Sequence, residues 1–369
     1  MSTTSDVAVI GAGIVGLAAA YELSRQGLSV TVFESGQPGF GQSAGQSRIF
    51  RHAHDDPRLV KLAVRARVRW MAWEEELGTE LISRDGGIAL GPSASRRLAQ
   101  LVTHPQIDAR AIDADELAHL LPMLAGYAGD AVFDATAGSI HTRAAIEALA
   151  QCFADVTVRE QVITLRDRRG GVEVRCPTGL FTHGAAVVCA GRGTAALARG
   201  VGIDVPIELG AHVRVSFGIR TPVASLPTLQ DGSGHFGFTG VYAAAYPDRS
   251  GYGLGLSDSV AATSDGTIVE PQVLGELADR AAEYVGAALP GLDPTPRDVV
   301  HCWVTTLPWG DDGIAIDSAE STYVIVGHNM FKHAPALGEA LARSVLDGRV
   351  VDGFGRGNRL GSAESAPTP

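Results

Sequence analysis

The chain has 369 residues, 45% of them hydrophobic and 19% charged, which suits a globular protein with room for two packed regions. A net charge of −11 argues against a nucleic-acid partner, and no basic stripe offsets it. No apolar run approaches the roughly 20 residues of a spanning helix, and the start lacks a signal-like apolar core, so no membrane association is expected. Cys152, Cys176, Cys189 and Cys302 show neither CxxC nor metal-ligand spacing, which predicts no metal and a reduced, cytoplasmic setting.

The segment from Asp6 to Glu34 organises the rest. Val7 to Ile10 is a short apolar run suited to a strand buried on both faces. Gly11-Ala12-Gly13-Ile14-Val15-Gly16 follows, and Leu17 to Gln26 predicts a helix rich in Ala, Leu, Glu and Arg. Gly27 ends that helix, Val30 to Phe33 makes the next strand, and Glu34 closes it. Gly11, Gly13 and Gly16 serve a tight turn, close approach of backbone to a pyrophosphate, and close packing of helix on strand. The pyrophosphate would sit at the positive end of the helix dipole, with Glu34 accepting from a ribose. Strand, turn, helix, strand and terminal acid in that order predict a dinucleotide site, and leave NAD and FAD equally open.

Ser35 to Ser47 reads as a loop leading into Arg48-Ile49-Phe50-Arg51-His52-Ala53-His54. From Pro57 to about Leu77 a helix is predicted, with Leu59, Leu62, Ala63, Ala66, Trp70 and Trp73 inward and Arg65, Arg67, Arg69 and Glu74 to Glu76 solvated. A strand at Gly86 to Leu90, helices at Ala94 to Thr103 and Ala114 to Leu121, and a helix from Arg143 to Ala154 capped by Thr142 come next. Val156 to Val158, Val162 to Asp167 and Val172 to Cys176 alternate as strands of a meander. Ala185 to Gly191 repeats the strand-to-glycine pattern, with a helix at Thr194 to Arg199. Ile207 to about Leu256 is rich in β-formers and turn residues, and the helix Pro271 to Ala288 follows. Val299 to Leu307 is strand-like, Tyr323 to Gly327 is a third buried strand ending in glycine, and Ala336 to Leu346 is the closing helix.

The fold class is therefore α/β, or α+β overall: a Rossmann-like dinucleotide-binding domain with a second, mainly antiparallel-sheet substrate domain. The expected boundaries are 1–85, 140–205 and 310–355 for the first domain, and 86–139 and 206–309 for the second. Residues 356–369, rich in Gly, Ser and Pro, are expected to be a disordered tail.

DVAVIGAGIVG near the start, GQSRIFRHAH after the second strand, VVCAG in the middle and GHNMFKHAPALGEALA near the end occur in one order. This set resembles the monomeric sarcosine oxidase and N-methyltryptophan oxidase branch of the D-amino-acid-oxidase-like flavoproteins, over nearly the whole chain. The resemblance implies FAD in a GR2-type domain, oxidation of an amine carbon–nitrogen bond, and an imine product. It places Gly11, Gly13, Gly16, Glu34, Ser47, Arg48, Ala190, Gly191, Cys302, Gly327, Asn329, Met330, Phe331 and Lys332 at the cofactor. At the positions matching Arg51 and Lys332 the family holds a substrate carboxylate, and at Cys302 it forms a thioether to the flavin. The residues themselves suit such roles. Arginine can hold a carboxylate through two parallel hydrogen bonds, and Lys61 and Lys332 are the only lysines in the chain. Cys152, Cys176 and Cys189 are expected to be ordinary buried cysteines.

The chain also departs from the family. Val304 stands two positions after Cys302, where the family has an aromatic residue, and two extra residues precede Ile316-Asp317. Gly255 stands where the family's oxygen-activating lysine is expected, and Ser259 or a neighbour replaces a histidine. The candidate replacement cations are Arg48, His52, His54, His328 and His333; otherwise reaction with oxygen is slow. His52 and His328 are expected to be satisfied by backbone, His54 and His333 to line the pocket, and Asp317 to be a turn residue. Arg51, Lys332, Arg48, His54 and His333 are thus the candidate catalytic residues. The expected activity is oxidation of a carboxylate-bearing secondary amine, an N-methyl or cyclic imino acid, with molecular oxygen reduced to hydrogen peroxide. The alternative is a flavin-dependent dehydrogenase or natural-product tailoring oxidase with a larger amine substrate and weak oxygen reactivity. A nicotinamide-dependent dehydrogenase leaves the closing motif without a role, and a flavin-binding protein without turnover is suggested only by Gly255.

Overall fold

Val7–Ile10 is buried along its whole length, as its unbroken apolar run requires, and pairs in parallel with a strand on each side. The computed structural model describes residues 5–362. In it the first sheet has six strands in the order Ile314–Ala319, Thr322–Gly327, Ala185–Val188, Val7–Ile10, Val30–Phe33 and Thr157–Val158. All neighbours run parallel except the hairpin of Ile314–Ala319 with Thr322–Gly327. One face carries the helices Ile14–Arg25 and Ala334–Asp347, which meet where Gly338 lies against Ala18. A Cβ at Gly338 would stand 2.6 Å from the Ala18 carbonyl oxygen, so glycine is what lets these helices approach. The opposite face is covered by Leu165, Val172 and Val174 of a three-stranded meander.

The second sheet has nine strands, contributed by residues 87–134 and 208–306. The helix Pro271–Ala288 packs Leu274, Leu277, Ala281, Tyr284 and Val285 against it. Between the two sheets lies a short ribbon, Ser47–Phe50 paired antiparallel with Gly138–His141. Behind it the helix Pro57–Leu77, N-capped by Asp56, buries Trp70 and Trp73 completely. Among the described residues no helix is long and apolar enough to cross a membrane, and no three His, Cys, Asp or Glu groups cluster as metal ligands.

Several local expectations are corrected. Thr157–Val158 is the edge strand of the six-stranded sheet rather than part of the meander, whose strands are Thr164–Arg168, Gly171–Cys176 and Gly179–His183. Arg48 lies on a strand, not in a loop. Arg67 is buried, donating to the Thr136 carbonyl, where a solvated side chain was expected. Asp317 sits within a strand and is paired with Arg356 at 2.6 Å rather than in a turn. Cys152 is exposed. The described part of the tail, residues 356–362, is structured: Leu360 is buried, its carbonyl accepts from the Ile314 amide at 3.0 Å, and the Gly361 amide donates to Asp56 at 2.8 Å. Gly, Ser and Pro composition lost to these main-chain anchors. Residues 363–369 lie outside those described.

Candidate active site

The first sheet ends at a cavity of about 1190 Å³ that reaches the face of the second sheet. Its near end is the glycine turn. Gly11 has φ +101°, a conformation glycine alone adopts freely, and a Cβ there would press on the Cys189 carbonyl at 2.6 Å. A Cβ at Gly16 would strike the Gly11 carbonyl, so Gly16 serves packing and does not line the cavity, whereas Gly11 and Gly13 do. Glu34 lines the same end, its carboxylate accepting from the amides of Ala12 and Gly36, each at 2.8 Å. These bonds hold the acid rigidly at the strand tip. Ala190 and Gly191 line the cavity beside the turn, with Ala190 Cα 3.1 Å from where a Cβ at Gly11 would stand.

Two cation clusters also lie on the cavity wall. In the first, Arg51 donates to the Ala53 carbonyl at 2.6 Å and to Asp312 Oδ2 at 3.1 Å. His54 Nδ1 lies 2.9 Å from the same oxygen, and Asn329 donates to Asp312 Oδ1 at 2.7 Å. Lys332 donates from Nζ to the Asn329 carbonyl at 3.0 Å, while its own carbonyl accepts from Trp70 Nε1 at 2.9 Å. The buried tryptophan of the Pro57–Leu77 helix thus fixes the turn that carries the lysine. Asn329 initiates that turn with φ +53°, in the left-handed region. Burial pushes the Lys332 ammonium down to about 7, against the pull of Asp312. Burial alone would raise the Asp312 carboxyl, but Lys332, Arg51 and His54 hold it well below the usual carboxylate range.

The second cluster is Arg48, Arg214, Tyr242 and Cys302. Arg48 donates to the Ser47 carbonyl at 3.0 Å and to that of Ala44, with Nη2 3.8 Å from Cys302 Sγ. Arg214, on Glu208–Gly218, donates to the same Ser47 carbonyl at 2.8 Å. Burial, and then the neighbouring Arg214 charge, push the Arg48 guanidinium down to about 10. Gly255 is paired with Arg214 on one side and Tyr242 on the other. A Cβ at Gly255 would lie 2.5 Å from Tyr242 Cζ, so the tyrosine ring fills the space beside it. Cys302 lines the cavity from Asp298–Thr306.

Arg48, Arg51, Cys302, Gly327, Asn329, Met330, Phe331 and Lys332 all reach the cavity wall. Ser47 does not, and contributes its carbonyl behind the wall. His54 and His333 are corrected: both are buried and neither lines the cavity, because the turn Met330–His333 folds His333 inward against His54. Burial and Arg51 push His54 down to about 3, so it stands neutral behind Asp312. His52 meets the Asp134 carboxylate at 2.8 Å rather than backbone, and His328 faces the cavity against the His212 ring. Asp312 and Arg214 are charged residues of the cavity wall that sequence reasoning missed. The two extra residues before Ile316 were the signal for Asp312; Arg214 in a strand gave none.

The architecture is that of a dinucleotide-binding oxidoreductase whose cavity runs from the parallel sheet to the face of a second sheet. A family model described as FAD dependent oxidoreductase matches residues 6–344. Monomeric sarcosine oxidase of Streptomyces avermitilis is 27% identical over 383 aligned positions, covering 96% of this chain and 97% of that protein. N-methyl-L-tryptophan oxidase of Yersinia pestis is 28% identical over 199 positions, covering 50% of this chain and 53% of that protein. Among solved structures, NikD, described as an unusual amino acid oxidase essential for nikkomycin biosynthesis, superposes with a TM-score of 0.82 at 21% identity, over 95% of this chain and 96% of that one. The chain belongs to the DAO family of FAD-dependent oxidoreductases.

The residues present fit FAD. The cavity exceeds the roughly 300–1,000 Å³ of a single small-ligand pocket. Its wall gives backbone access at Gly11 and Gly13 and a fixed carboxylate at Glu34, and Arg48 and Arg214 on the same wall offer donors to electron-rich oxygen and nitrogen atoms.

Proposed function

We propose that this FAD-dependent oxidoreductase oxidises the C–N bond of a carboxylate-bearing secondary amine, an N-methyl or cyclic imino acid, to an imine. The observation that carries the reading is that Arg51 and Lys332 both reach the cavity wall, with Asp312 between their charges as the one carboxylate that both act on. Arg51 and Lys332 bind the substrate carboxylate, and that anchorage orients the adjacent carbon–hydrogen bond for reaction. The amine leaves as the imine after losing two electrons and two protons, and molecular oxygen takes both to become hydrogen peroxide. FAD, when bound, supplies the two-electron chemistry between them. Glu34 and the glycine turn would hold the adenosine and pyrophosphate end, Arg48 would offer its donors to the ring system, and Cys302 would supply the thiol for a covalent link. Lys332 is poised near neutrality and carries its positive charge below about pH 7.

A second reading is favoured by Gly255 and Tyr242, which leave no lysine at that strand position: a dehydrogenase or natural-product tailoring oxidase with a larger amine and weak oxygen reactivity. The visible spectrum of the purified protein before and after acid precipitation tests the cofactor. A yellow pellet supports the bond to Cys302, and a colourless pellet over yellow supernatant removes it. Anaerobic addition of N-methyl and cyclic imino acids tests the substrate class, with bleaching of the flavin band as the expected result. A panel that leaves the band unchanged, while larger amines bleach it, moves the assignment to the second reading.

A further inference from the structure

The positive charges on the cavity wall are not equally compensated. Arg51 and Lys332 share Asp312, and Arg97 pairs with Asp55 at 2.7 Å. Arg192 is exposed and lies over the Trp303 ring at 4.9 Å. Arg48 and Arg214 are different. Both converge on one main-chain oxygen, that of Ser47, and among the described residues neither has an ion-pair partner. Arg214 is buried and its Nε has no hydrogen-bond partner, although the residue lines the cavity. Two guanidinium groups, one buried and one half-buried, whose acceptors are neutral carbonyls and the Cys302 sulfur, leave a local excess of positive charge that an anion would relieve.

The surroundings hold that charge in place. Arg214 Cζ lies 5.7 Å from the centre of the Tyr242 ring, which packs on the bare backbone of Gly255. A side chain at 255 would displace the ring and release Arg214. Glycine at this position is therefore part of the Arg214 site, not simply the loss of a residue.

We propose that Arg214, set beside Arg48 on the Ser47 carbonyl, stabilises the negative charge that arises when oxygen is reduced at this wall of the cavity. The inference rests on the oxidase reading above. In that reaction oxygen takes two electrons and two protons to become hydrogen peroxide, both electrons originating in the amine. The first electron reaches oxygen ahead of a proton and makes superoxide, so a fixed cation at the wall favours the slowest part of the reduction.

The test reduces the purified flavoprotein with dithionite under nitrogen, so that no amine is needed, and mixes it with oxygenated buffer. Wild type, Arg214→Met, Arg214→Gln and Arg214→Lys are compared for reoxidation rate and for the midpoint potential of the bound flavin. Loss of the charge should slow reoxidation about 10²-fold, the scale of removing one fixed charge-stabilising group, and lower the potential. Arg214→Lys should recover most of both. Where Arg214→Met does not retain flavin, the Gln and Lys variants decide between charge and packing. A Met or Gln variant that matches wild type in rate and potential overturns the role of Arg214 and leaves the oxidase reading standing. A wild-type flavin that stays reduced in oxygen overturns the oxidase reading, and the inference with it.

Discussion

Asp312 places a carboxylate of the chain itself on Arg51, with Oδ2 accepting from Nη2 at 3.1 Å. The guanidinium proposed to hold the substrate's carboxylate is therefore already engaged. Replacing Asp312 with Asn removes the charge, keeps one oxygen as the acceptor for Asn329, and turns an amide NH2 toward His54 and Arg51. Carboxylate ligands such as benzoate should then bind about tenfold more tightly, since a charge-assisted hydrogen bond contributes about 1.5–3 kcal/mol. Flavin difference spectra in a benzoate titration measure this. Weaker binding in Asp312→Asn would mean that the aspartate orients Arg51 rather than competing for it.

Lys332 carries the pH dependence. Its folded-state value lies near 7 against an ordinary 10.5, so its charge is present below about pH 7 and lost above. In the free enzyme, kcat/KM for a carboxylate-bearing amine should fall as pH rises through about 7, and Lys332→Met should flatten that limb. The effect on stability has the opposite sign. Below about pH 7 both states hold the proton and the buried charge counts in full against folding; between about 7 and 10.5 the unfolded chain binds it more strongly, so stability rises with pH. Melting temperatures of wild type minus Lys332→Met should therefore increase from about pH 6 to about pH 9. A difference that is flat or falling would place the ammonium in a more solvated setting.

Gly338→Val should separate the two helices under the nucleotide end. The added carbons meet Ala18 at 2.6 Å from its carbonyl oxygen and 3.0 Å from its methyl group. Overpacking of this kind costs about 1–3 kcal/mol. A lower melting temperature should come with weaker retention of flavin, because Ala18 lies on the helix that follows the glycine turn. Unchanged thermal unfolding would show that the helices have room to part.

Ending the chain at residue 355 removes Leu360, whose carbonyl also accepts from Trp309 Nε1 at 3.0 Å, and the Gly361 amide that caps Asp56. Loss of one buried leucine alone costs about 2–5 kcal/mol. Denaturant unfolding of the truncated chain should show a clear drop in midpoint, and an unchanged midpoint would show that these anchors add nothing to stability.

The first sheet was readable because its strands are continuous apolar runs ended by glycine, a pattern that buried parallel strands feeding tight turns demand. The glycine turn, Glu34 and Lys332 were readable for related reasons: each is rare, or sits at a spacing that physics demands. What escaped was set by tertiary position. Arg214 is one arginine among many in the sequence, and only the register of its strand against Gly255 brings it to the cavity. Asp312 lies just ahead of Ile316, where the chain carries two extra residues, and its partners, Arg51, His54 and Asn329, come from distant parts of the chain. His54 and His333 failed the other way, since a loop motif facing a cavity still turns some side chains back into the core.

The oxygen that receives Arg48 and Arg214 belongs to the main chain of residue 47, not to a side chain. No codon change at that position removes it while the ribbon of Ser47–Phe50 with Gly138–His141 stays paired. Substrate preference could thus drift through residues such as Asp312, or be redirected by directed evolution, while the socket for the two guanidinium groups is inherited unchanged.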